Sequence, residues 1–348
     1  MTVLVADTSY QEQWNRFVAE HEDSSPYHQW SWLDAIEQAY GFTVFPLISL
    51  DDKGQVNGLF PIAIVKTPFS KGKMSSLPYC DIGGALAVNS GVEQTLLAHA
   101  LSMCQQYGIA SLESRTNELE SQDINEFAKV RMILPLPDSS EQLMAGFKSK
   151  LRSQIKKASK NGLTATVGND SQHLAGFYQV YSRNMRDLGS PAHSFQWFKS
   201  IVEGYGSNAI IANVYKEDTV VGAGIVLISG NKCSIPWAST NADYNRLAPN
   251  MLLYWTLLSH ASDNGYISFD FGRSTPGEGT YRFKAQWGAQ PRGLLWQTFQ
   301  QGQLQEIPPV TQTSSTSSIR KLVETVWQKL PVSVATTLGS AVRKYITL

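Results

Sequence analysis

The sequence has few of the residues that build metal sites or disulfide frameworks. Only 3 of its 348 residues are cysteine. Cys80, Cys104 and Cys233 lie far apart and outside any CxxC pair, so we expect them to fill the core as free thiols. The 6 histidines show neither HxxxH nor HExxH spacing, which argues against a metal site.

The sequence also lacks an excess of charge and any long apolar run. Lys and Arg together number 29, as do Asp and Glu, so the formal net charge is zero. A general DNA-binding protein would be basic, so DNA is not an expected partner and any contact with RNA or phosphate must be local. Apolar runs fall far short of the ~18 residues that span a bilayer. Asp7 stands where a signal peptide would be apolar, so we expect a cytoplasmic protein.

What the chain does have is an internal repeat. Its length predicts two domains and a tail. The segment "SPYHQWSWLDAIEQAYG" at residues 25–41 returns without a gap as "SPAHSFQWFKSIVEGYG" at residues 190–206. Apolar residues spaced three and four apart predict an amphipathic helix in each copy.

The similarity continues after each helix. Two alternating apolar segments joined by a polar turn follow in both copies and predict β-hairpins. The segments "LPYC" and "IPWA" come next and are predicted to lie in strands. A second helix follows in each copy and is predicted to end at Gly108 or Gly265, before a short final strand. The order in both halves is therefore helix, hairpin, strand, helix, strand, which predicts a duplicated domain.

The predicted fold class is α/β of the α+β type, with mixed, mostly antiparallel sheets. We predict a first domain at residues 1–140, a second at 141–306, and a Ser/Thr-rich linker with a basic helical tail at 307–348. This interleaving of helices and strands resembles the topology of GCN5-related N-acyltransferases. Tandem copies of that fold resemble the Fem family of aminoacyl and acyl transferases, the FemA, FemB and FemX type.

Three motifs carry the resemblance. The segments "FDFGRSTPGEGTYRFKAQWG" (269–288), "NMRDLGSP" (184–191) and "KSKLRSQIKKASKNGL" (148–163) resemble Fem-like proteins associated with exosortase and exopolysaccharide clusters. The resemblance runs from about residue 14 to about residue 299. It implies direct acyl transfer to an amine or hydroxyl of a sugar, peptide or lipid-linked acceptor in cell-envelope or exopolysaccharide biosynthesis. No cofactor is implied beyond an acyl donor, which is an aminoacyl-tRNA or an acyl thioester.

The loop that binds pyrophosphate in acetyl-coenzyme A enzymes of this fold is not present. Its pattern is Q/R-x-x-G-x-G/A, which lets backbone amides surround the phosphates. The corresponding segments here are "STNADYNRLAPNM" in the second half and "CDIGGALAVNSGV" in the first, where Gly83 and Gly84 come closest to the pattern. Because neither segment has this glycine pattern, the sequence argues against acetyl-coenzyme A as the donor. An aminoacyl-tRNA donor is the option that the Fem resemblance implies.

The chemistry-rich segment after residue 269 contains the candidate catalytic residues. Acyl transfer needs a proton acceptor and donors for the developing oxyanion. Asp270, at the end of a buried strand, and Glu278, in the glycine-rich loop, are candidate bases. Lys284 matches the lysine of an "FK" pair to which the Fem resemblance assigns the transfer step. The structural alternative is that Asp270 pairs with Arg273 and Lys284 is solvated.

We expect Thr280 to cap a short helix whose N-terminus would favour an anion. Further candidate substrate-binding residues lie in the segment after residue 269, in the "NMRDLGSP" loop and around the fourth strand of the second half. In the loop Asp187 could instead cap a helix, and His193 follows shortly after it. The candidates are Arg273, Tyr281, Arg282, Arg186, Asp187, Trp237, Asn241, Tyr244 and Asn250.

A basic helix is predicted between the two halves. Residues 148–160 hold 6 basic side chains and no acidic one. Leu143, Phe147, Leu151 and Ile155 recur every four residues and predict a packed face, while Lys148, Arg152, Lys156 and Lys160 form a positive face. This face is either solvated or binds the phosphates of an RNA, a nucleotide-sugar or a lipid-linked acceptor, with Arg152 and Lys156 as candidate contacts.

The C-terminal region is predicted to be a linker followed by two amphipathic helices. Residues 308–318 have the composition of a flexible linker. Apolar stripes then recur at helical spacing, and the second contains Val334, Leu338, Val342 and Tyr345. Five basic residues accompany one acidic residue, Glu324. The tail either docks on the core or anchors the protein peripherally to an anionic membrane, at its cytoplasmic face.

Two other functions compete with the Fem-like transferase. One is an N-acyltransferase that uses a coenzyme A or carrier-protein thioester on a small amine, against which the missing pyrophosphate loop counts. The other is a non-catalytic duplicated module that binds glycan or a membrane complex. The cluster from Arg273 to Lys284 counts against that hypothesis, because a binding module has no need of it.

Overall fold

The computed structural model describes residues 1–66, 72–117, 124, 127–300, 303–306 and 318–346. The chain divides into two compact units. The first consists of Met1–Arg131, Arg292–Thr311 and Tyr345–Leu348, and the second of Met132–Pro291 and Gln312–Lys344. Most of the predicted linker, residues 308–317, lies outside the described residues.

The elements alternate along the chain much as the sequence predicts. Up to residue 117 they are β1 (Thr2–Val5), α1 (Gln11–Glu20), α2 (Trp30–Tyr40), β2 (Thr43–Leu50), β3 (Val56–Val65), β4 (Lys73–Ser75), β5 (Leu86–Ala87), α3 (Ser90–Gln106) and β6 (Ser111–Asn117). The next are β7 (Val130–Pro135), α4 (Ser140–Gly146), α5 (Ser149–Lys160), β8 (Leu163–Gly168), α6 (Ser171–Asp187), α7 (Phe195–Tyr205), β9 (Ala209–Lys216) and β10 (Thr219–Ser229). The last are β11 (Lys232–Thr240), α8 (Pro249–Asp263), β12 (Ser268–Ser274), α9 (Gly279–Ala285), β13 (Gln290–Gln300), β14 (Gln303–Glu306), α10 (Ser318–Gln328) and α11 (Val332–Arg343).

The two halves share one topology, which confirms the predicted duplication. In the first unit the strands lie in the order β2-β3-β4-β6, and in the second β9-β10-β11-β12. The last pair of each set is parallel and the other pairs are antiparallel. The helix before each final strand, α3 or α8, ends ahead of a glycine with positive φ, Gly108 or Gly265.

Each unit has its own apolar core. In the first, α3 covers the sheet through residues such as Leu96 and Ala100, which pack with Leu47, Phe60 and Leu112. The core of the second includes Trp197, Phe198 and Phe177, all shielded from solvent. The three cysteines are buried free thiols, as predicted. Within the described residues, every helix is too short or too polar to cross a bilayer.

Two predictions about local structure are wrong. The "LPYC" segment is not a strand, because the chain turns sharply there, with positive φ at Leu77 (158°) and Tyr79 (70°). The predicted basic helix is present as α5 (Ser149–Lys160), but the apolar repeat from Leu143 does not lie on one helix, because Phe147 takes an extended conformation between α4 and α5. The four-residue repeat survives this break, and Leu143, Phe147, Leu151 and Ile155 are all buried as expected.

The C-terminal helices belong to the second unit and pack against α6. Gly339 of α11 lies so close to the preceding loop that an added Cβ would stand 2.7 Å from the backbone nitrogen of Ala192. Arg343 Nε donates a hydrogen bond to Nε2 of His193 at 3.0 Å. The tail therefore docks on the core through one of its faces.

Candidate active site

The candidate site is a gap between two parallel strands of the second unit. Lys232, Cys233 and Ser234 of β11 pair with Ser268, Phe269 and Asp270 of β12. Beyond these residues β11 continues to Thr240 alongside β10, and β12 continues to Ser274, without further pairing between the two. Strands that separate in this way leave backbone N–H and C=O groups available to an extended ligand.

A β-bulge marks the point at which β11 leaves β12. Ile225 of β10 faces Trp237, and Leu227 faces Ser234, so Ile235 and Pro236 together oppose one residue. Proline has no N–H to give to a sheet and is tolerated in a central strand mainly at a bulge. The "IPWA" segment is thus a strand as predicted, and its proline is the sequence signal of the bulge.

Asp270 is not at the end of the strand as predicted, because β12 continues to Ser274; it is the last residue of β12 that pairs with β11. Its side chain is only 4% exposed, and Oδ1 accepts a hydrogen bond from the backbone N–H of Gly272 at 2.8 Å. Gly272 has a φ of 73°, a conformation that glycine adopts at little cost. The carboxylate therefore stabilises a local turn of β12, next to the point at which the pairing of β11 with β12 stops.

Lys284 connects α9 to the same strand. Its ammonium donates hydrogen bonds to the carbonyl oxygens of Gly272 at 3.0 Å and Arg273 at 2.8 Å. The side chain is 8% exposed, so the alternative of a solvated lysine is wrong. A buried ammonium can bring positive charge close to the strand end, which is the kind of group that stabilises an oxyanion.

The loop between β12 and α9 positions the remaining residues of this segment. The residue at the N-cap of α9 is Glu278 and not Thr280, because the helix already begins at Gly279. Glu278 makes no side-chain cap and is exposed, as is Arg282, while Arg273 and Tyr281 are half-buried. The structure thus brings Arg273 and Lys284 to the end of β12, places Asp270 where β12 separates from β11, and leaves Glu278 and Arg282 at the surface.

An aromatic cluster packs against β12 and α9 beside Lys284. Tyr254 of α8 stacks on Phe271 with ring centroids 5.3 Å apart and contacts Phe283 at 5.2 Å. Trp287 joins them and also packs against Phe147 at 5.5 Å. Aromatic packing of this kind fixes α9 against the sheet, so the position of Lys284 is set by rigid neighbours.

The loop after β11 forms no glycine-rich phosphate cradle. Asn241 caps a 3-10 helix at Ala242–Leu247, accepting at Oδ1 from Asp243 N at 3.1 Å. Tyr244 is half-buried within it, and Asn250 lies in the first turn of α8. Asp243 adds a carboxylate, which is ion-paired with Arg183 at 2.6 Å. A carboxylate is an unfavourable neighbour for a pyrophosphate.

Trp237 lies in the part of β11 that borders the gap, and the "NMRDLGSP" segment reaches the same strand, because Asn184 Nδ2 donates to Ser239 Oγ at 3.2 Å. Trp237 packs against Phe198 at a centroid distance of 5.0 Å and against His193 at 6.5 Å. Arg186 pairs with Asp187 at 2.7 Å and donates to the carbonyl oxygen of Leu330 in the tail at 3.1 Å. Arg186 and His193 therefore both contact the tail, while Asn184 of the same segment contacts β11.

The positive face of α5 is exposed as the sequence indicates. Lys156, Lys157 and Lys160 are exposed, and Arg152 is half-buried. An open depression beside them is lined by residues that include Lys156, Lys160 and Trp255. Lysines next to an aromatic ring suit a nucleotide, whose phosphate and base they can contact together.

The first unit has the same strand arrangement but its gap is filled. After Ser75 the chain folds back, and the N–H groups of Gly83 and Gly84 donate to the carbonyl oxygen of Arg115 at 3.1 and 2.7 Å. These two glycines therefore hold backbone and not a phosphate. The fully buried Arg115 guanidinium donates to Glu113 and, at 2.6 Å, to the carbonyl oxygen of Cys80.

One cavity formed by described residues of the first unit is small and acidic. This cavity of about 130 Å³ is lined by residues that include His28, Asp23 and Glu93. Burial lowers the pKa of His28 to about 3, so this imidazole is neutral at physiological pH. A cavity with two carboxylates and a neutral histidine does not suit an anionic donor. The open gap in the second unit is therefore the candidate site.

Comparisons with known proteins agree with this geometry. Residues 145–285 match the family model of the acetyltransferase (GNAT) domain. The fold is a tandem GNAT fold. FemX superposes with a TM-score of 0.65 at 13% identity, over 84% of this chain and 96% of FemX. The matched GNAT region contains the open gap and Lys284.

Two further solved structures resemble the chain over most of its length. L-PGS from Bacillus licheniformis gives a TM-score of 0.54 at 14% identity, over 86% of this chain and 93% of that protein. A tandem GNAT protein from the clavulanic acid biosynthesis pathway gives 0.53 at 12%, over 87% and 99%. A comparison with curated proteins gives no significant sequence match. These identities establish the fold, and the GNAT domain matched by residues 145–285 supports an acyltransferase.

One residue of the site escaped the sequence reasoning. Ser274, the last residue of β12, is 4% exposed, and its buried Oγ has no hydrogen-bond partner among the described residues. A buried hydroxyl without a partner is costly unless a ligand completes its hydrogen bonding. Its place directly after the "FDFGR" strand was the only signal in the sequence.

Proposed function

We propose that the protein is a Fem-like transferase that moves an acyl or aminoacyl group directly from its donor to an amine or hydroxyl. The acceptor would be a sugar, peptide or lipid-linked molecule of cell-envelope or exopolysaccharide biosynthesis. The observation that carries the proposal is the gap between the unpaired parts of β11 and β12, with buried Asp270 where the strands separate and buried Lys284 at the end of β12.

The gap gives each proposed group a role. The acyl chain would lie along the unpaired backbone of β11, so that its carbonyl reaches the end of β12. Lys284 would stabilise the negative charge that develops on the carbonyl oxygen. Asp270 would position the strand end through Gly272 and receive the nucleophile's proton, directly or through a water. Bond formation between nucleophile and carbonyl carbon then breaks the bond to the donor's oxygen or sulfur, which takes the proton held by Asp270 and leaves as a hydroxyl or thiol.

Two features favour an aminoacyl-tRNA over an acyl thioester of coenzyme A. The segment 241–248 contains Asp243 and no glycine, so it offers no amide cradle for the pyrophosphate of coenzyme A. The positive face of α5, with Trp255 beside it, matches the phosphates and bases of an RNA. A carrier-protein thioester, which has no nucleotide, is the alternative donor that the missing cradle leaves open.

The experiment is a transfer assay with two classes of donor. The protein is incubated with a pool of amine and sugar acceptors and either charged tRNA or acyl thioesters, and new acyl products are found by mass spectrometry. We expect products from charged tRNA that the Lys284→Met variant does not form at the same rate. Products from thioesters alone would assign the alternative donor, and no product from either class would contradict the proposed activity.

A further inference from the structure

The C-terminal helices have two unlike faces. Ala335 and Gly339 of α11 are buried, and Gly339 packs directly on the backbone of Pro191 and Ala192. On the other side Val334, Leu338 and Val342 are 41%, 48% and 42% exposed. These three residues recur every four positions and therefore form one stripe along the helix. We call this stripe the outer face.

The neighbouring helix also presents apolar side chains to solvent. Val323 and Val326 of α10 are each 54% exposed. Single exposed apolar residues are normal on protein surfaces, but a stripe at helical spacing marks an interaction surface. Because α11 is held by its inner face, this surface is already folded before any partner arrives.

The charge of this region identifies the partner. Over residues 318–346 the sequence has five basic residues and one acidic residue, whereas the whole chain has equal numbers of both. An apolar helix face with a basic surround is the pattern of helices that lie in the surface of an anionic bilayer. A second copy of the chain fits less well, since a stable interface takes about 20–30 residues per partner, whereas the outer face and the two valines of α10 are five exposed apolar residues.

We propose that the outer face of α11, with the exposed valines of α10, binds an anionic lipid surface while the inner face stays docked on α6. The apolar side chains enter the boundary between headgroups and acyl chains, and the basic residues contact the lipid phosphates. The tail is then docked on α6 and bound to the lipid surface at the same time. This proposal does not depend on the acyl donor or on any transfer activity.

Vesicle flotation of the full-length protein tests the proposal. We expect it to float with vesicles of phosphatidylcholine mixed with phosphatidylglycerol, and not with phosphatidylcholine alone, and high salt should weaken the binding. The double variant Leu338→Gln, Val342→Gln should lose at least about tenfold in vesicle binding, because two apolar side chains no longer leave water. Its melting temperature should stay close to that of the wild type, since both residues are exposed.

Ile267→Gln is the matched control, because Ile267 is a 54% exposed apolar residue of the second unit outside the tail. This variant should float like the wild type. Failure of the wild type to float, or equal flotation of the double variant, would overturn the proposal. If the wild type does not float and instead sediments as a dimer that the double variant dissociates, the outer face binds a second copy and not a lipid surface.

Discussion

Lys284 is held by two backbone carbonyls of β12, so its removal should affect both folding and chemistry. The ammonium donates to Gly272 and Arg273, and hydrogen bonds from a charged donor contribute about 1.5–3 kcal/mol each. From the sequence, the Fem resemblance assigns Lys284 to the transfer step. In the structure the same side chain also fixes the end of the strand that lines the site.

The substitution Lys284→Met should therefore lower the melting temperature and reduce turnover by about 10²–10³, the usual cost of losing one oxyanion donor. Substrate binding should change little, because the interaction is made mainly in the transition state. Lys284→Arg should restore turnover only in part, since a planar guanidinium does not replace a compact ammonium. The measurement is single-turnover rate per folded molecule. A full rate in the Met variant would make Lys284 a structural residue only.

Ser274 offers a test that does not disturb the fold. Its buried hydroxyl makes no hydrogen bond among the described residues, so Ser274→Ala removes none and should leave or slightly raise the melting temperature. If the hydroxyl binds the substrate, KM or kcat should worsen by about tenfold, the value of one neutral hydrogen bond. Steady-state kinetics with melting curves separate the two effects. Unchanged kinetics would remove Ser274 from the site.

His28 should make the first unit sensitive to acid. Its folded pKa is lowered to about 3 from 6.5 by burial, so the unfolded chain binds a proton first as pH falls. Stability is therefore complete above pH 6.5 and declines from there toward pH 3, by at most about 1.4 kcal/mol per pH unit. Denaturant unfolding between about pH 7.5 and about pH 5 measures the slope. His28→Gln should flatten it, and an equal slope in the variant would assign the acid sensitivity elsewhere.

At the scale of single elements, the two faces of α5 have separate roles. Leu151, Ile155 and Ala158 are buried, whereas Lys156 and Lys157 are exposed. Reversing both lysines to Glu should leave folding intact. It should weaken binding of uncharged tRNA and lower the salt dependence of log K by about 1–2, because fewer counterions are released.

The matched control is Lys53→Glu with Lys199→Glu, which changes the net charge equally at exposed sites in a hairpin turn and on α7. The control should bind tRNA like the wild type. Binding by filter retention over a range of salt concentrations decides the matter. If the two double variants bind tRNA equally well, the positive face of α5 is solvated and does not bind the RNA.

The docking of α11 depends on a glycine. An added Cβ at Gly339 would lie 2.7 Å from the backbone nitrogen of Ala192, and backbone cannot yield as a side chain does. Gly339→Val should therefore separate the tail from α6, at a cost of about 1–3 kcal/mol. Limited proteolysis near residue 330 and the melting curve report this change. Ala341→Val, on the exposed side of the same helix, should change neither the proteolysis nor the melting curve. A Gly339→Val variant that resists the protease would contradict the docked geometry.

Element patterns in the sequence predict the architecture well. Periods of two and four, two terminating glycines and the repeat from residue 190 indicate the strand and helix order of both copies. The "LPYC" segment misleads because its apolar letters resemble a strand, while the contacts that bend it come from Arg115, far along the chain. Ser274 and the hydrogen bonds of Lys284 could not be predicted, since they depend on the separation of β11 from β12.

At the scale of the whole molecule, duplication has produced two units with one topology and different interiors. The family match covers residues 145–285 of the second unit, and the open gap lies within that range. In the first unit the chain itself occupies the corresponding place, with Gly84 so close to Thr116 and the backbone of Arg115 that no Cβ would fit. Sequence similarity between the halves does not reveal this difference, because the difference arises from a few residues after Ser75.

Because the first unit's gap is filled by its own polypeptide, the stoichiometry of donor binding should be one per chain despite the two repeats. Saturation should follow a simple hyperbola, with neither cooperativity nor a second weaker phase arising within a chain. In the first copy the amides of Gly83 and Gly84 already donate to Arg115, so we expect only the second copy to bind a donor.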